Sequence, residues 1–193
     1  MRLFIALDID PEIRRRIAQF MDGVRGFAPD ARWVSADSLH LTLKFIGEWP
    51  PERLDELKRT LAGVHRQPAD ITFAGTGFFP AAKSARVFWV GIEAGPELAT
   101  LAAAVDEATS SLGIDKEQRA FTPHLTLART GSGRPQRMRS DRANPSFRRL
   151  QEKLGTMPAA SFGTMRPLEF FLYESKLSPK GAVYTKLERF ALQ

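Results

Sequence analysis

Cysteine is missing from the 193 residues of this chain, and histidine occurs only three times. The lack of cysteine excludes disulfides, thiolate nucleophiles, iron–sulfur clusters and cysteine-ligated zinc. It fits a reducing compartment, and the apolar run near the N-terminus is too short for a signal peptide, so we expect a cytoplasmic protein. No stretch approaches the roughly 20 apolar residues of a membrane-spanning helix, so no membrane partner is predicted.

A glycine-rich loop for a nucleotide phosphate is also lacking. The sequence Gly75-x-Gly77 is followed by Phe-Phe-Pro, where such a loop would lead into a helix and supply a lysine. We therefore expect no cofactor.

The composition is that of a folded, basic protein. Hydrophobic residues make up 43% and charged residues 26% of the chain, enough for one compact unit with a core. The net charge of +6 favours a phosphate-bearing partner. A group of arginines fits either a solvated loop or an RNA-binding patch: Arg134, Arg137, Arg139, Arg142, Arg148 and Arg149.

Predicted strands and helices interleave along the whole chain. Apolar runs predict strands at 2–9, 31–34, 40–46, 71–73, 85–93, 121–128, 169–176 and 182–190. Helices are predicted to begin at Asp10-Pro11, Trp49-Pro50, Gly95-Pro96 and near residue 146, and loops are predicted at 75–80 and 130–144. The turn Ser178-Pro-Lys-Gly181 predicts a terminal hairpin, which favours an antiparallel sheet and the α+β class.

A repeated tetrapeptide is the most informative signal. His40-Leu-Thr-Leu recurs as His124-Leu-Thr-Leu, 84 residues later, so two of the three histidines head identical segments. At average residue usage, Leu-Thr-Leu follows a given histidine with odds of roughly one in a thousand or less. One copy is typical of an ordinary amphipathic strand, whereas two copies indicate a shared function.

Strand geometry predicts what the repeat presents. Side chains alternate between the two faces of a strand, so His40 and Thr42 share one face while the leucines face the core. The same alternation places His124 beside Thr126. If the two strands are related by a pseudo-two-fold axis, two His/Thr pairs converge on one cleft.

Two imidazoles and two hydroxyls suit in-line displacement at phosphorus. One imidazole can act as base on the attacking water and the other as acid on the leaving oxygen, because the ordinary pKa of histidine is about 6.5. The threonine hydroxyls can donate to the non-bridging oxygens. No metal is required, and the set is a poor match for zinc. The third histidine, His65, is predicted to be an ordinary residue at a helix end.

Beyond the two motifs, most of the chain resembles the two-histidine phosphoesterase superfamily, and within it the RNA 2',3'-cyclic phosphodiesterase family, also called 2'-5' RNA ligase. The matching segments are Arg2-Leu-Phe-Ile-Ala6, His40-Leu-Thr-Leu-Lys-Phe-Ile-Gly47, Gly75-Thr-Gly-Phe-Phe-Pro80, Ala85-Arg-Val-Phe-Trp-Val90, Phe121-Thr-Pro-His-Leu-Thr-Leu-Ala-Arg129 and Ser175-Lys-Leu-Ser-Pro-Lys-Gly-Ala-Val-Tyr184.

The resemblance implies one two-lobed α+β domain over residues 1–193, with an antiparallel sheet in each lobe, helices on the outer faces and a central groove. It implies hydrolysis of RNA 2',3'-cyclic phosphate ends to 2'-phosphates, with His40 as proton donor and His124 as proton acceptor. Some relatives also join or split 2'-5' RNA linkages in vitro. The acid and base roles come from the resemblance, because the two motifs are symmetric in sequence.

Residues after the motifs give weaker predictions. Arg129 can bind phosphate bidentately, but strict alternation puts it on the leucine face, so it reaches the groove only at a strand end or a bulge. Alternation also puts Lys44 on the His40 face, where it would meet the RNA backbone, and Phe45 in the core. The remaining aromatic candidates for base stacking, Phe78, Phe79 and Trp89, fit core packing better.

Two other functions fit the same residues. A non-catalytic RNA-binding module would use the cleft and the arginines without chemistry. A related two-histidine enzyme would act on a small cyclic nucleotide or another phosphate ester. The basic charge favours RNA with a cyclic phosphate end as the partner, and we expect a monomer.

Overall fold

The computed structural model describes residues 1–130, 145–178 and 181–193. The helices and strands within these ranges are β1 (Arg2–Asp8), α1 (Pro11–Val24), β2 (Ala31–Trp33), β3 (His40–Glu48), α2 (Leu54–Ala62), β4 (Ile71–Phe79), β5 (Val87–Ala94), α3 (Pro96–Ser110), β6 (His124–Thr130), α4 (Pro145–Gly155), β7 (Ser161–Met165), β8 (Glu169–Ser178) and β9 (Gly181–Ala191).

The strands of these ranges form two antiparallel sheets. The first has the order β3-β1-β8-β9 and the second the order β2-β6-β5-β4-β7. Each motif strand pairs with the strand that precedes its long helix, β3 with β1 and β6 with β5. The sheets therefore correspond position by position about a pseudo-two-fold axis, with β2 as an addition beside β6. The predicted α+β class and the β8–β9 hairpin are confirmed.

Proline begins both long helices, at a position where its missing N–H is not needed. Pro11 opens α1 after the N-cap Asp10, whose carboxylate accepts a hydrogen bond from the backbone N–H of Glu12 at 2.9 Å. Pro96 opens α3 after Gly95, which caps the helix without a side chain. Helix α1 packs against β7, and α3 packs against β3 and α2. No helix in the described ranges is long and apolar enough to cross a membrane.

The hydrophobic core lies between the helices and one face of each sheet. On β1, Ile5 and Leu7 are fully buried on the helix side. Burying each such side chain contributes about 1.5–3 kcal/mol. Alternation sends Phe4 to the other face, where it stacks on Tyr173 with ring centroids 5.0 Å apart. That second face borders the groove.

One expectation about secondary structure is wrong, and one strand was missed. Residues 75–80, predicted as a loop, largely continue β4, because Gly75 adopts a φ of 71° at a register shift and lets the strand carry on. Strand β7 was not predicted, since its sequence Ser-Phe-Gly-Thr-Met holds too few apolar residues to stand out. The predicted loop at 130–144 lies outside the described residues, apart from Thr130, which ends β6.

Candidate active site

A β-bulge interrupts the first motif strand just after its threonine. Ala6 pairs with Thr42, but the preceding residue Ile5 pairs with Lys44, so Leu43 is an extra residue in β3. An extra residue reverses the alternation of side chains beyond it.

The bulge overturns two predictions about the residues that follow it. Lys44 does not face the groove: it is 7% exposed, and its Nζ donates to Asp106 Oδ1 at 2.5 Å and to the Asp115 carbonyl at 2.6 Å. Phe45 is not in the core: it is 64% exposed and lies on the groove face, 6.2 Å from the Phe4 ring. Both predictions failed because they assumed unbroken alternation.

The second motif strand carries the same bulge. Pairing with β5 passes from Thr126 to Ala128 and skips Leu127. The reversal buries Ala128 completely and turns the exposed Arg129 to the same face as His124. The condition under which Arg129 reaches the groove, a bulge in the strand, is therefore met.

Both motif histidines are anchored by the same hydrogen bond. Nδ1 of His40 donates to the carbonyl of Ser38 at 2.7 Å, and Nδ1 of His124 donates to the carbonyl of Thr122 at 2.9 Å. Because a carbonyl oxygen can only accept, each Nδ1 carries a hydrogen, and Nε2 is left to exchange a proton. Both imidazoles are half-buried at the groove.

An aromatic ring also stands edge-on to each imidazole. Tyr184 lies 5.0 Å from His40, with the rings at 87°, and Phe79 lies 5.0 Å from His124, with the rings at 86°. Together with the Nδ1 hydrogen bond, the ring contact restricts rotation of each imidazole. Tyr184 ends one of the family-like segments but was not predicted as a site residue, because β9 is far from both motifs in the sequence.

The three aromatic residues considered for base stacking divide between the two faces of the second sheet. Phe78 stacks on Phe88 in the core, with centroids 4.9 Å apart. Phe79 and Trp89 contact each other on the groove side, at 5.1 Å. The Trp89 indole covers Gly77, where any side chain would overlap the ring.

The two motif strands approach each other across the groove. Cα atoms of β3 and β6 come within 8 Å. The charges also indicate that the two sheets are close. Burial raises the pKa of Tyr184 on the first sheet, and two cations oppose that rise: Arg2 and, from the second sheet, Arg129. The two motif strands therefore lie close together, with Arg129 of the second sheet near Tyr184 of the first.

A cavity of about 430 Å³ opens beside His40. Its charged lining residues are Asp8, Arg14, Asp37 and Lys186. Burial lowers the pKa of His40 below its ordinary value, while the bond to the Ser38 carbonyl and the Asp8 charge oppose that change.

Asp8 is the centre of a hydrogen-bonded cluster in this cavity. The Tyr173 hydroxyl donates to its Oδ1 at 2.6 Å, Lys186 donates to its Oδ2, and Arg14 lies 3.8 Å from Oδ1. Burial tends to raise the pKa of the Asp8 carboxyl, but the bonds from Lys186 and Tyr173 outweigh it and hold the pKa below its usual value. Asp8 is therefore a carboxylate at neutral pH. Its only sequence signal was an acidic residue closing a buried strand.

Other predicted features lie away from the groove or outside the described ranges. Arg148 and Arg149 are exposed on α4, between the buried Phe147 and Leu150. The other four arginines of the group lie outside the described residues. His65 is exposed just after α2. Within residues 1–130, 145–178 and 181–193, no three His, Cys, Asp or Glu side chains group closely enough to hold a metal ion.

The model of the family described as LigT like Phosphoesterase matches the chain over residues 7–89 and again over residues 90–184. The chain belongs to this family. Each matched range of this LigT-like phosphoesterase contains one of the two motifs, in agreement with the internal correspondence of the two sheets.

Individual relatives match over the full length. An RNA 2',3'-cyclic phosphodiesterase of Archaeoglobus fulgidus is 35% identical over 190 residues, which are 98% of this chain and 99% of the relative. The crystal structure of TT0787 of Thermus thermophilus has a TM-score of 0.78 and 30% identity, covering 100% of this chain and 98% of that one. E. coli LigT complexed with 3'-AMP has a TM-score of 0.75 and 33% identity, covering 99% and 97%.

Proposed function

We propose that this LigT-like phosphoesterase hydrolyses the 2',3'-cyclic phosphate at RNA ends to a 2'-phosphate, using His40 and His124 without a metal. The proposal is supported above all by the two matched His/Thr motifs, each with an anchored imidazole and each followed by the same bulge. The name shared by full-length relatives, RNA 2',3'-cyclic phosphodiesterase, supports the substrate. The 3'-AMP bound to E. coli LigT supports a nucleotide-sized site.

The proposed reaction needs one proton removed and one delivered. Nε2 of His124 takes a proton from water while the water oxygen attacks phosphorus and the bond from phosphorus to O3' breaks. Nε2–H of His40 delivers its proton to O3'. Motif strands on opposite sides of the groove suit this, because the attacking and leaving oxygens lie on opposite sides of the phosphate.

The hydroxyls and the guanidinium would hold the phosphate. Thr42 and Thr126 donate to the non-bridging oxygens and stabilise the charge that develops on them. Arg129, turned into the groove by its bulge, adds a bidentate cation. Phe45 takes the corresponding place after the first bulge, where its exposed ring can stack on a base.

The test is identification of the terminal product. Purified full-length protein is incubated with excess chelator and an oligonucleotide ending in a 2',3'-cyclic phosphate. Mass spectrometry detects opening of the cyclic phosphate, and resistance to an enzyme that removes only 3'-phosphates distinguishes a 2'-phosphate from a 3'-phosphate. We expect a 2'-phosphate. A 3'-phosphate would contradict the assignment of the leaving oxygen, and a reaction abolished by the chelator would contradict the metal-independent mechanism.

Two comparisons separate this proposal from the alternatives. A small 2',3'-cyclic mononucleotide is assayed beside the oligonucleotide, and a higher kcat/KM for the mononucleotide would favour the small-nucleotide enzyme. RNA affinity is measured for the His40→Ala/His124→Ala double variant, with His65→Ala as the matched control. If the protein is only a binding module, the wild-type protein should show no turnover, and all variants should bind RNA as tightly as wild type.

Three further expectations belong to the proposal. The two lobes act as one domain, the protein is a monomer, and it works in the cytoplasm. Light scattering coupled to size exclusion tests the monomer, and a cooperative unfolding transition common to fluorescence and circular dichroism tests the single domain. Formation of 2'-5' RNA linkages is assayed with a 5'-hydroxyl RNA, whose hydroxyl takes the place of water: its oxygen bonds to phosphorus while the bond from phosphorus to O3' breaks.

A further inference from the structure

The two histidines have different neighbours although their motifs are identical. In the β1–β3 ladder, the residue directly opposite His40 is Asp8. In the β5–β6 ladder, the residue directly opposite His124 is Gly91. Directly opposed residues have Cβ atoms about 4.5–5.5 Å apart, so one imidazole has a carboxylate beside it at a position where the other has only a hydrogen.

The difference continues into the helices that follow. The segments 10–14 and 95–99 align on the proline that opens each helix, which places Ala99 where the first half has Arg14. Arg14 donates to the Ala36 carbonyl at 2.7 Å and approaches Asp8. The cavity at the start of α3 is smaller, about 230 Å³, and its lining includes Ala94, Leu98 and Phe121 instead of charged residues.

From this asymmetry we infer that Asp8 is the positioning residue that favours the protonated form of His40, and with it the role of His40 as proton donor. The inference rests on the proposed function, which needs one protonated and one neutral imidazole. A carboxylate favours the charged form of a neighbouring histidine. Because Tyr173 and Lys186 occupy its oxygens, Asp8 acts on His40 through space and touches no reacting atom.

The groups that face His40 come from each element around it. They are Asp8 of β1, Arg14 of α1, Asp37 before β3, Tyr173 of β8, and Tyr184 and Lys186 of β9. Two of them act on its charge in opposite directions: Asp8 raises the pKa of His40 and Arg14 lowers it, against a background in which burial lowers it. Substitutions that remove these two charges should therefore change the pKa of His40 in opposite directions.

The first variant is Asp8→Asn, which removes the charge and keeps one oxygen that can accept the hydrogen bond from Tyr173, while the amide nitrogen replaces the oxygen that accepts from Lys186. Titration of the imidazoles by NMR, without RNA, should show a lowered pKa for His40. A proton donor must be protonated to act, and a lowered pKa reduces its protonated fraction only at higher pH. The kcat/KM on the cyclic-phosphate oligonucleotide should therefore fall about threefold to tenfold at pH 8 and hardly at all at acidic pH.

The second variant is Arg14→Gln, for which the pKa of His40 should rise. Asp37→Asn removes a charge that lines the same cavity but is not among the charges that shift the pKa of His40, so it is the matched control and should leave the His40 titration unchanged. Should Asp8→Asn not fold, Arg14→Gln decides alone, and an unchanged or lowered His40 pKa refutes the inference.

Two results with Asp8→Asn would overturn the inference. A gain of activity at acidic pH would identify His40 as the base. An equal loss at every pH with an unshifted His40 titration would give Asp8 a purely structural role. Because the titration needs no RNA, failure of wild-type protein to open cyclic phosphates would refute the proposed function separately and leave the effect of Asp8 on His40 measurable.

Discussion

The half of the molecule around His40 and the half around His124 supply the same reactive groups in different surroundings. Each half has a histidine bonded to the carbonyl two residues before it, a threonine on the same face, and a bulge just after that threonine. The halves differ in the residue that the bulge turns into the groove, Phe45 in one and Arg129 in the other. They differ again in the residue opposite each histidine, which is Asp8, in a charged cavity, for His40 and Gly91 for His124.

The comparison separates two kinds of requirement. In-line displacement needs a proton-exchanging group and a hydrogen-bond donor on both sides of the phosphate, and these are the features that the halves share. An RNA end is not symmetric, since it has a base on one side and a phosphate chain on the other. The unshared features, an aromatic ring, a guanidinium and a carboxylate, are those that can orient such an end.

Replacing either motif histidine should have the largest effect and tests whether the halves are chemically equivalent. We expect His40→Ala and His124→Ala each to lower kcat about 10²- to 10⁴-fold, because each removes a proton-transfer group. The double variant should be little worse than either single one. Single-turnover assays on the cyclic-phosphate oligonucleotide measure this, with His65→Ala as control. A histidine that proves dispensable would break the equivalence.

Replacing the threonines tests the second shared feature. Valine has the shape of threonine without the hydroxyl, so Thr42→Val and Thr126→Val should each lower kcat/KM about 10²-fold through loss of a donor to the phosphate oxygens. Steady-state kinetics and urea unfolding are measured on both variants. A normal rate in either one would show that its hydroxyl does not contact the phosphate in the transition state.

The residues after the bulges test the difference between the halves. Phe45→Ala should raise KM for the oligonucleotide roughly fivefold, the lower end of a base-stacking contribution, and leave a ribose 2',3'-cyclic phosphate without a base unaffected. Arg129→Gln should raise KM about tenfold for both substrates, less so at high salt. Equal effects of the two variants on the substrate without a base would contradict the division of roles.

Lys44→Met should have the smallest effect on activity. The change removes the buried partner of Asp106, so the free energy of unfolding should fall by about 1–3 kcal/mol in urea titrations, while kcat and KM stay within about twofold of wild type. Ala128→Val is the matched variant at the corresponding position of β6. It places a larger side chain at a fully buried site and so should also lower stability by overpacking. If Lys44→Met lost RNA affinity while its stability stayed normal, Lys44 would have to contact RNA in the groove, contrary to this assignment.

The sequence was most informative where a simple period governs the structure. The α+β class and the elements around Pro11, Pro96 and the two motifs were predictable from alternation, helix starts and the repeat. The faces of the motif residues were predictable up to the bulge and wrong beyond it. A bulge at Leu43 or Leu127 has no signature in the residue types, because it depends on how the neighbouring strand pairs.

The surroundings of the site were much less predictable. The cluster around Asp8 takes Arg14 from the next helix but Tyr173 and Lys186 from strands at the far end of the chain. None of these residues has an unusual local pattern. They become informative only when the sheet order places β8 and β9 beside β1. That order is a tertiary property, which alternation along a single strand does not encode.

Gly77 sets a limit on which variants of the second sheet can work. Because the indole of Trp89 occupies the space above it, even a methyl group at this position has to push that ring aside. Trp89 leans on Phe79, and Phe79 stands against the imidazole of His124. A side chain at Gly77, two strands away from His124, would thus displace Trp89 and Phe79 in turn and tilt the imidazole. The absence of a side chain at Gly77 therefore helps to keep His124 in its orientation.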